Sequence, residues 1–182
     1  MKNLTLIIPA RKEKESLPQV IDEIKNLDCK KKVILAPDDI DTINAIKNLN
    51  VDIIYQDHRG YGDALITGIN NVDTDYFCIF NADGSFNPSE LPGMLELIKN
   101  SKILKKQSVK DPDFIIYGNP VGSSFLYKRE VFFSSSGYPE NLPLVEDYHF
   151  WLHSSKKYVF YKIPESLYKY RIHNESLTSK IN

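Results

Sequence analysis

Short apolar runs alternate with amphipathic stretches through the first hundred residues. Leu4-Thr5-Leu6-Ile7-Ile8 reads as a first strand that ends at Pro9-Ala10-Arg11-Lys12-Glu13. A helix should follow, with Ser16 as N-cap and Gln19 at the capping-box position, because Leu17, Val20, Ile21, Ile24 and Leu27 recur at helical spacing. Residues 32–36 make a second strand, Pro37-Asp38-Asp39 the loop at its end, and residues 42–49 a second helix; residues 51–55 make a third strand. Beyond Arg59-Gly60-Tyr61-Gly62 comes a helix carrying Ala64, Leu65 and Ile69. Tyr76-Phe77-Cys78-Ile79-Phe80 is apolar on both faces, as expected of a strand covered from both sides in a parallel sheet. It breaks into Asn81-Ala82-Asp83-Gly84-Ser85-Phe86-Asn87-Pro88, where Asn87 suits an N-cap, Pro88 the first helical position and Glu90 a capping box, opening a helix over 89–99.

Strand and helix therefore alternate, which predicts a mainly parallel sheet. After residue 100 the alternation stops. Strands are expected at 114–117, 124–127, 158–163 and 167–172, a short helix stopping near Gly137, and a longer helix over 146–156 with Tyr148, Trp151 and Leu152 on one side. The fold class is thus α/β: a mixed, mainly parallel sheet flanked by helices, in one compact domain spanning 1–182.

Composition narrows the function. With 42% apolar and 26% charged residues, the 182-residue chain suits a globular domain with a substantial core. A net charge of −1 gives no electrostatic ground for nucleic acid as partner. The lysine clusters at 30–32, 102–106 and 156–157 read as solvated faces, with peripheral contact to an anionic membrane as the alternative. Two cysteines, one inside a strand, form no disulfide framework or metal motif, and no apolar stretch reaches the length of a membrane span. A cytoplasmic location, at most peripheral at the inner face of the membrane, is the expectation.

In open α/β sheets ligands bind beyond the carboxyl ends of the strands. Polar groups gather at such ends in Pro9 to Glu13, in Asp38-Asp39, around Asp83, and at the helix start Glu146-Asp147; a further cluster is Arg171-Ile172-His173-Asn174-Glu175-Ser176. Each alone has an ordinary reading: Asp38-Asp39 as a turn, Glu146-Asp147 as complements to a helix N-terminus. His149 and His153, four apart on a helix, are read as solvent-facing residues rather than metal ligands, and His58 is assigned no role.

Taken in order, these blocks resemble the nucleotide-sugar glycosyltransferases of family 2, which have the Rossmann-like GT-A fold. Ile8-Pro9-Ala10-Arg11-Lys12-Glu13-Lys14-Glu15-Ser16-Leu17 is similar to the family's opening block, and the stretch from Arg59 through Gly68 to the one preceding the metal site in dolichyl-phosphate-mannose-synthase-like members. Asn81-Ala82-Asp83 stands where the family carries Asp-x-Asp, with Asn81 replacing the first acidic residue. Glu146-Asp147-Tyr148-His149-Phe150-Trp151-Leu152 and Tyr170-Arg171-Ile172-His173-Asn174-Glu175-Ser176-Leu177 resemble two blocks of polysaccharide-type members.

The resemblance implies a metal-dependent, inverting transfer of a sugar from a UDP-, GDP- or dTDP-sugar to a glycan or lipid-linked acceptor. Residues 1–100 would bind the nucleotide and 101–182 the acceptor. Pro9, Ala10, Arg11, Glu13, Asp38, Asp39, Arg59 and Ala82 would hold the nucleotide; Asp83 and His173 would ligate Mn2+ or Mg2+; Arg171, His173 and Ser176 would close over the diphosphate. Asp147, beside Glu146, would be the general base. These residue types suit the chemistry: carboxylate oxygen holds a hard cation, and an arginine fork with a hydroxyl matches phosphate oxygens. The rival readings are a degenerate nucleotide-binding or assembly module, suggested by Asn81, and a sugar nucleotidyltransferase, disfavoured because no glycine-rich phosphate loop follows the first strand.

Overall fold

The computed structural model describes residues 1–58, 60–100, 125–139, 142 and 145–160. Its elements run in the order β1 (Leu4–Ala10), α1 (Ser16–Ile24), β2 (Lys30–Leu35), α2 (Ile40–Ile46), β3 (Asp52–Tyr55), α3 (Tyr61–Asn70), β4 (Tyr76–Ile79), a 3-10 turn (Pro88–Glu90), α4 (Leu91–Asn100), β5 (Phe125–Lys128), α5 (Arg129–Ser134) and α6 (Glu146–Ser154). The five strands form one sheet ordered β3-β2-β1-β4-β5. The first four are parallel and β5 is antiparallel to β4, so the expected mixed, mainly parallel sheet is what forms.

Period-two alternation along β1 divides the core between the two faces of the sheet. Leu4, Leu6 and Ile8 point toward α1 and α4, packing with Leu17, Val20, Ile24, Leu91 and Leu95. Ile7 points the other way, into a core of Ala64, Leu65 and Ile69 from α3 with Phe132, Phe150 and Trp151. Gly68 is where α3 comes closest: a Cβ there would lie 2.3 Å from Ile7 Cγ2. On the same face Tyr127 of β5 and Tyr138 are both buried, with their hydroxyls 3.3 Å apart. Burial raises both phenol pKa values well above 10; for Tyr138 the hydrogen bond to Tyr127 partly opposes this, while nearby Tyr61, Asp147 and Glu146 add to it. A raised pKa in the folded state means the stability is complete below the unfolded value of about 10 and is lost as pH rises beyond it. Tm should therefore fall above about pH 10, and fall less steeply in Tyr127→Phe, as a melting series across alkaline pH will show.

Several boundaries differ from the sequence expectation. β1 continues through Pro9 and Ala10, which pair with Ile34 and Leu35. The reason lies on the other side of the strand: Ile7 O accepts from Phe80 N at 2.8 Å, and β4 pairs with β1 no further than Ile7. Pro9, two residues on, turns its missing N–H toward the side that β4 has left, so no ladder bond is lost. Ser16 is the first residue of α1 rather than its cap, and its hydroxyl donates to the Glu13 carboxylate. α2 begins at Ile40, two residues earlier than expected, and ends at Ile46. Asn87 caps as expected, accepting from Ser89 N at 3.1 Å, but Glu90 meets the Asn87 side-chain amide instead of a backbone N–H. The helix that follows starts as the 3-10 turn before becoming α4. α6 stops at Ser154, and its buried face is Phe150, Trp151 and Ser154 rather than one containing Tyr148. Residues 158–160 carry no strand. The strands expected at 114–117 and 167–172 lie outside the described residues. No helix among the described residues is long and apolar enough to cross a membrane.

Candidate active site

The sheet order puts β1 between β2 and β4, so the chain reverses its direction of winding at β1. Where β4 parts from β1 after Ile7, a crevice opens at the carboxyl ends of the strands, the place where ligands bind in such sheets. The loops after β1, β2 and β4 border it.

The first two loops are bonded to each other. Lys12 N donates to Asp39 Oδ2 at 2.7 Å, and Glu13 N donates to Thr42 Oγ1 at 3.1 Å. Arg11 lies 3.6 Å from Asp38, and Lys14 3.2 Å from Asp41. Lys12 has a φ of 60°, a left-handed conformation that costs a non-glycine residue roughly 1–3 kcal/mol. That turn aims its N–H across the gap, so the hydrogen bond to Asp39 offsets the strain. Asp39 precedes α2 without capping it by a side-chain hydrogen bond. Its carboxylate crosses to the first loop instead. Lys12, Lys14, Asp38, Asp39, Asp41 and Thr42 border an open cleft with Ile40 on its wall.

The third loop fixes Asp83. Gly84 takes a φ of 72°, reversing the chain so that Ser85 N reaches Asp83 Oδ1 at 3.0 Å; the Ser85 hydroxyl donates to the same oxygen. A carboxylate held by its own turn is a suitable ligand for a divalent ion. Among the described residues no group of three His, Cys, Asp or Glu side chains stands together as a metal cage. A single carboxylate suits an ion whose other positions are filled by substrate phosphate oxygens and water, an arrangement common for Mg2+.

On the opposite face of the sheet, α6 opens with Glu146 and Asp147. Asp147 Oδ1 accepts from Tyr148 N at 2.6 Å. Glu146 lies along the start of α3: a Cβ on Gly62 would meet its Cγ at 3.8 Å and its Oε1 at 3.9 Å. Its other oxygen, Oε2, is enclosed without a hydrogen-bond partner among the described residues. His149 corrects the expectation of a solvent-facing ring. It is half-buried, its Nδ1 is enclosed and unpartnered, and its ring stacks on His153 at 4.2 Å. Burial, then the neighbouring His153, lowers its pKa below 6.5. The expected site residues Pro9, Ala10, Arg11, Glu13, Asp38, Asp39, Ala82 and Asp83 thus all lie at the carboxyl end of the sheet. Arg59, Arg171, His173 and Ser176 lie outside the described residues. Thr42 and the tyrosine pair were not among the expected site residues, whereas Ser85 and Gly62 fall within blocks the sequence singled out without a role of their own. For Ser85 the local signal is an Asp-Gly-Ser turn.

Three solved structures share this fold. Mannosyltransferase PcManGT from Pyrobaculum calidifontis, in complex with GDP-Man and Mn2+, matches at TM-score 0.63 and 18% identity over 81% of this chain and 50% of its own. Mannosyl-3-phosphoglycerate synthase from Rubrobacter xylanophilus matches at 0.59 and 17%, over 75% of this chain and 58% of its own. Glucosyl-3-phosphoglycerate synthase from Mycobacterium tuberculosis, in complex with Mn2+, UDP and glucosyl-3-phosphoglycerate, matches at 0.57 and 13%, over 72% of this chain and 58% of its own. The chain spans between half and three-fifths of these proteins' lengths. No curated protein sequence matches it. The family model described as Glycosyl transferase family 2 matches residues 5–104, more than half of the 182. That span runs from β1 past α4 and takes in all three loops of the crevice, and this chain belongs to glycosyl transferase family 2.

Proposed function

We propose that the chain is a metal-dependent, inverting glycosyltransferase that moves a sugar from a nucleoside-diphosphate sugar to a hydroxyl of a glycan or lipid-linked acceptor. The observation that carries this reading is that the bonded loops after β1 and β2 and the turn that holds Asp83 all stand at the carboxyl ends of the central strands. In this reading Arg11, Glu13, Asp38 and Asp39 border the nucleoside, and Asp83 with His173 would hold Mn2+ or Mg2+. When bound, such an ion would offset negative charge on the diphosphate. Asp147 accepts the acceptor's hydroxyl proton while that oxygen bonds to the anomeric carbon and the bond from that carbon to the diphosphate breaks. Arg171 and Ser176 would contact the diphosphate. Neighbours crystallised with Mn2+ and with UDP or GDP-Man support the donor class.

The test is a melting series with UDP, GDP, dTDP or CMP, each with and without manganese. Ligand binding to the folded state alone raises apparent stability by about 2.7 kcal/mol at one hundred times the dissociation constant. One diphosphate should raise Tm only with manganese, and Asp83→Ala should abolish the rise. A second reading, a module that binds nucleotide without transfer, is favoured by Asn81 in place of the first acidic residue. It predicts the same thermal shift with neither transfer nor hydrolysis of any sugar donor.

A further inference from the structure

Ser85 is buried, 7% exposed, and both of its donors end on one atom: its N–H reaches Asp83 Oδ1 at 3.0 Å and its hydroxyl donates to the same oxygen. The backbone bond alone closes such a turn, and any residue but proline at position 85 would supply it. The hydroxyl is a second, separate tie, and serine or threonine is needed for it. The segment around it is anchored on both sides. Ala82 and Phe86 are buried, the Phe86 ring lies 4.8 Å from that of Phe80, and Gly84 reverses the chain between them at a φ of 72°. With the backbone of Asp83 fixed in this way, its side-chain torsions are the freedom that remains.

Two hydrogen bonds on Oδ1 remove that freedom, because the carboxylate cannot rotate about Cα–Cβ or Cβ–Cγ without breaking one of them. Its aim matters the more because Asn81 stands at the first position of the block, leaving Asp83 as the one carboxylate in Asn81-Ala82-Asp83. An ion with one protein carboxylate, and with phosphate and water at its other positions, gains most from a carboxylate that is already in place. We propose that Ser85 is a positioning residue for the metal: through Asp83 Oδ1 its hydroxyl presets the carboxylate that receives the divalent ion, and so sets how tightly the ion is held beside a nucleoside diphosphate. Hydrogen-bond partners of a ligating carboxylate contribute about 10–100-fold in metal affinity. Ser85 itself touches neither the ion nor the sugar. This rests on the reading of Asp83 as a metal ligand.

The test is manganese affinity, read from the electron paramagnetic resonance signal of the free ion and corrected for manganese bound by nucleotide alone. The full chain is titrated in the presence of whichever of UDP, GDP or dTDP gives the thermal shift. Ser85→Ala keeps the backbone N–H on Asp83 and removes the hydroxyl, whereas Ser85→Thr keeps both. The manganese dissociation constant should rise about tenfold or more in Ser85→Ala and stay within about threefold of wild type in Ser85→Thr. Excess manganese should restore the full thermal shift in Ser85→Ala and fail to do so in Asp83→Ala. A ligand-free Tm within a few degrees of wild type confirms that each variant folds. Unchanged manganese affinity in Ser85→Ala overturns the proposal, as does a loss that Ser85→Thr shares or that excess manganese does not recover. If Ser85→Ala has no effect while Asp83→Ala abolishes manganese binding, Ser85 loses its role and the reading of Asp83 stands. Manganese binding that survives Asp83→Ala refutes that reading itself.

Discussion

Asp147→Asn should lower transfer by about 10²–10⁴-fold, the usual contribution of a positioned general base, while leaving the nucleotide- and manganese-dependent rise in Tm intact. The substitution removes the proton acceptor. Asparagine has the same shape, and its side-chain oxygen can still accept the Tyr148 N–H that Asp147 Oδ1 accepts at 2.6 Å. Helix α6 should therefore begin where it does now, with Glu146 against Gly62. The bordering loops of the nucleotide crevice, joined by Lys12 to Asp39 and by Glu13 to Thr42, involve no atom of α6. Initial rates with the donor identified by the melting series, beside the melting series itself, separate the two effects. Transfer and nucleotide binding lost together would mean that Asp147 serves the fold or the donor site, and the assignment as base would fail.

Gly68→Ala should be the most damaging single-methyl change in the nucleotide half of the chain. The new Cβ would sit 2.3 Å from Ile7 Cγ2 and 3.2 Å from Ile34 Cγ1, on two residues that are fully buried. Both belong to central strands, so neither side chain can swing aside into solvent. Overpacking of this kind costs about 1–3 kcal/mol and sometimes more. Alanine's better helix propensity returns less than about 1 kcal/mol. For a chain of this size each kcal/mol corresponds to roughly 2–4 °C in Tm. Gly93→Ala provides the contrast, since Gly93 lies in α4 with nothing within 4 Å of its notional Cβ. That variant should gain about 0.5–1 kcal/mol. If Gly68→Ala melts at the wild-type temperature, α3 does not pack on β1 as closely as described here.

The pattern of apolar positions indicated every element from β1 to α4, because a run such as Tyr76 to Phe80 cannot be buried on both faces except inside a covered sheet. Motif blocks along the chain indicated the family for a similar reason: each is a cluster of residues local in sequence. Boundaries were less legible where a residue's partner was distant. Ser16 looked like a cap from its neighbours alone, but Glu13 claims its hydroxyl. Pro9 looked like a strand end, but the departure of β4 makes its missing N–H harmless. His149 looked exposed on a helix, but its Nδ1 is enclosed.

By itself, then, the sequence determined the alternation of strand and helix, the mainly parallel sheet, and the order in which candidate site residues follow one another. Those depend on periodicities of two and 3.6 residues and on glycine and proline, all of which act within a few positions. Only the tertiary structure decided which of these residues meet. Asp39 reaches Lys12 across 27 residues, Tyr138 lies against Tyr127 across 11, and Glu146 comes to rest on Gly62. Such pairings follow from the strand order that seats β1 between β2 and β4 and from the burial that presses α3 and α6 onto one face of the sheet. Register and packing settle that geometry for the chain as a whole, and no local stretch of sequence carries it.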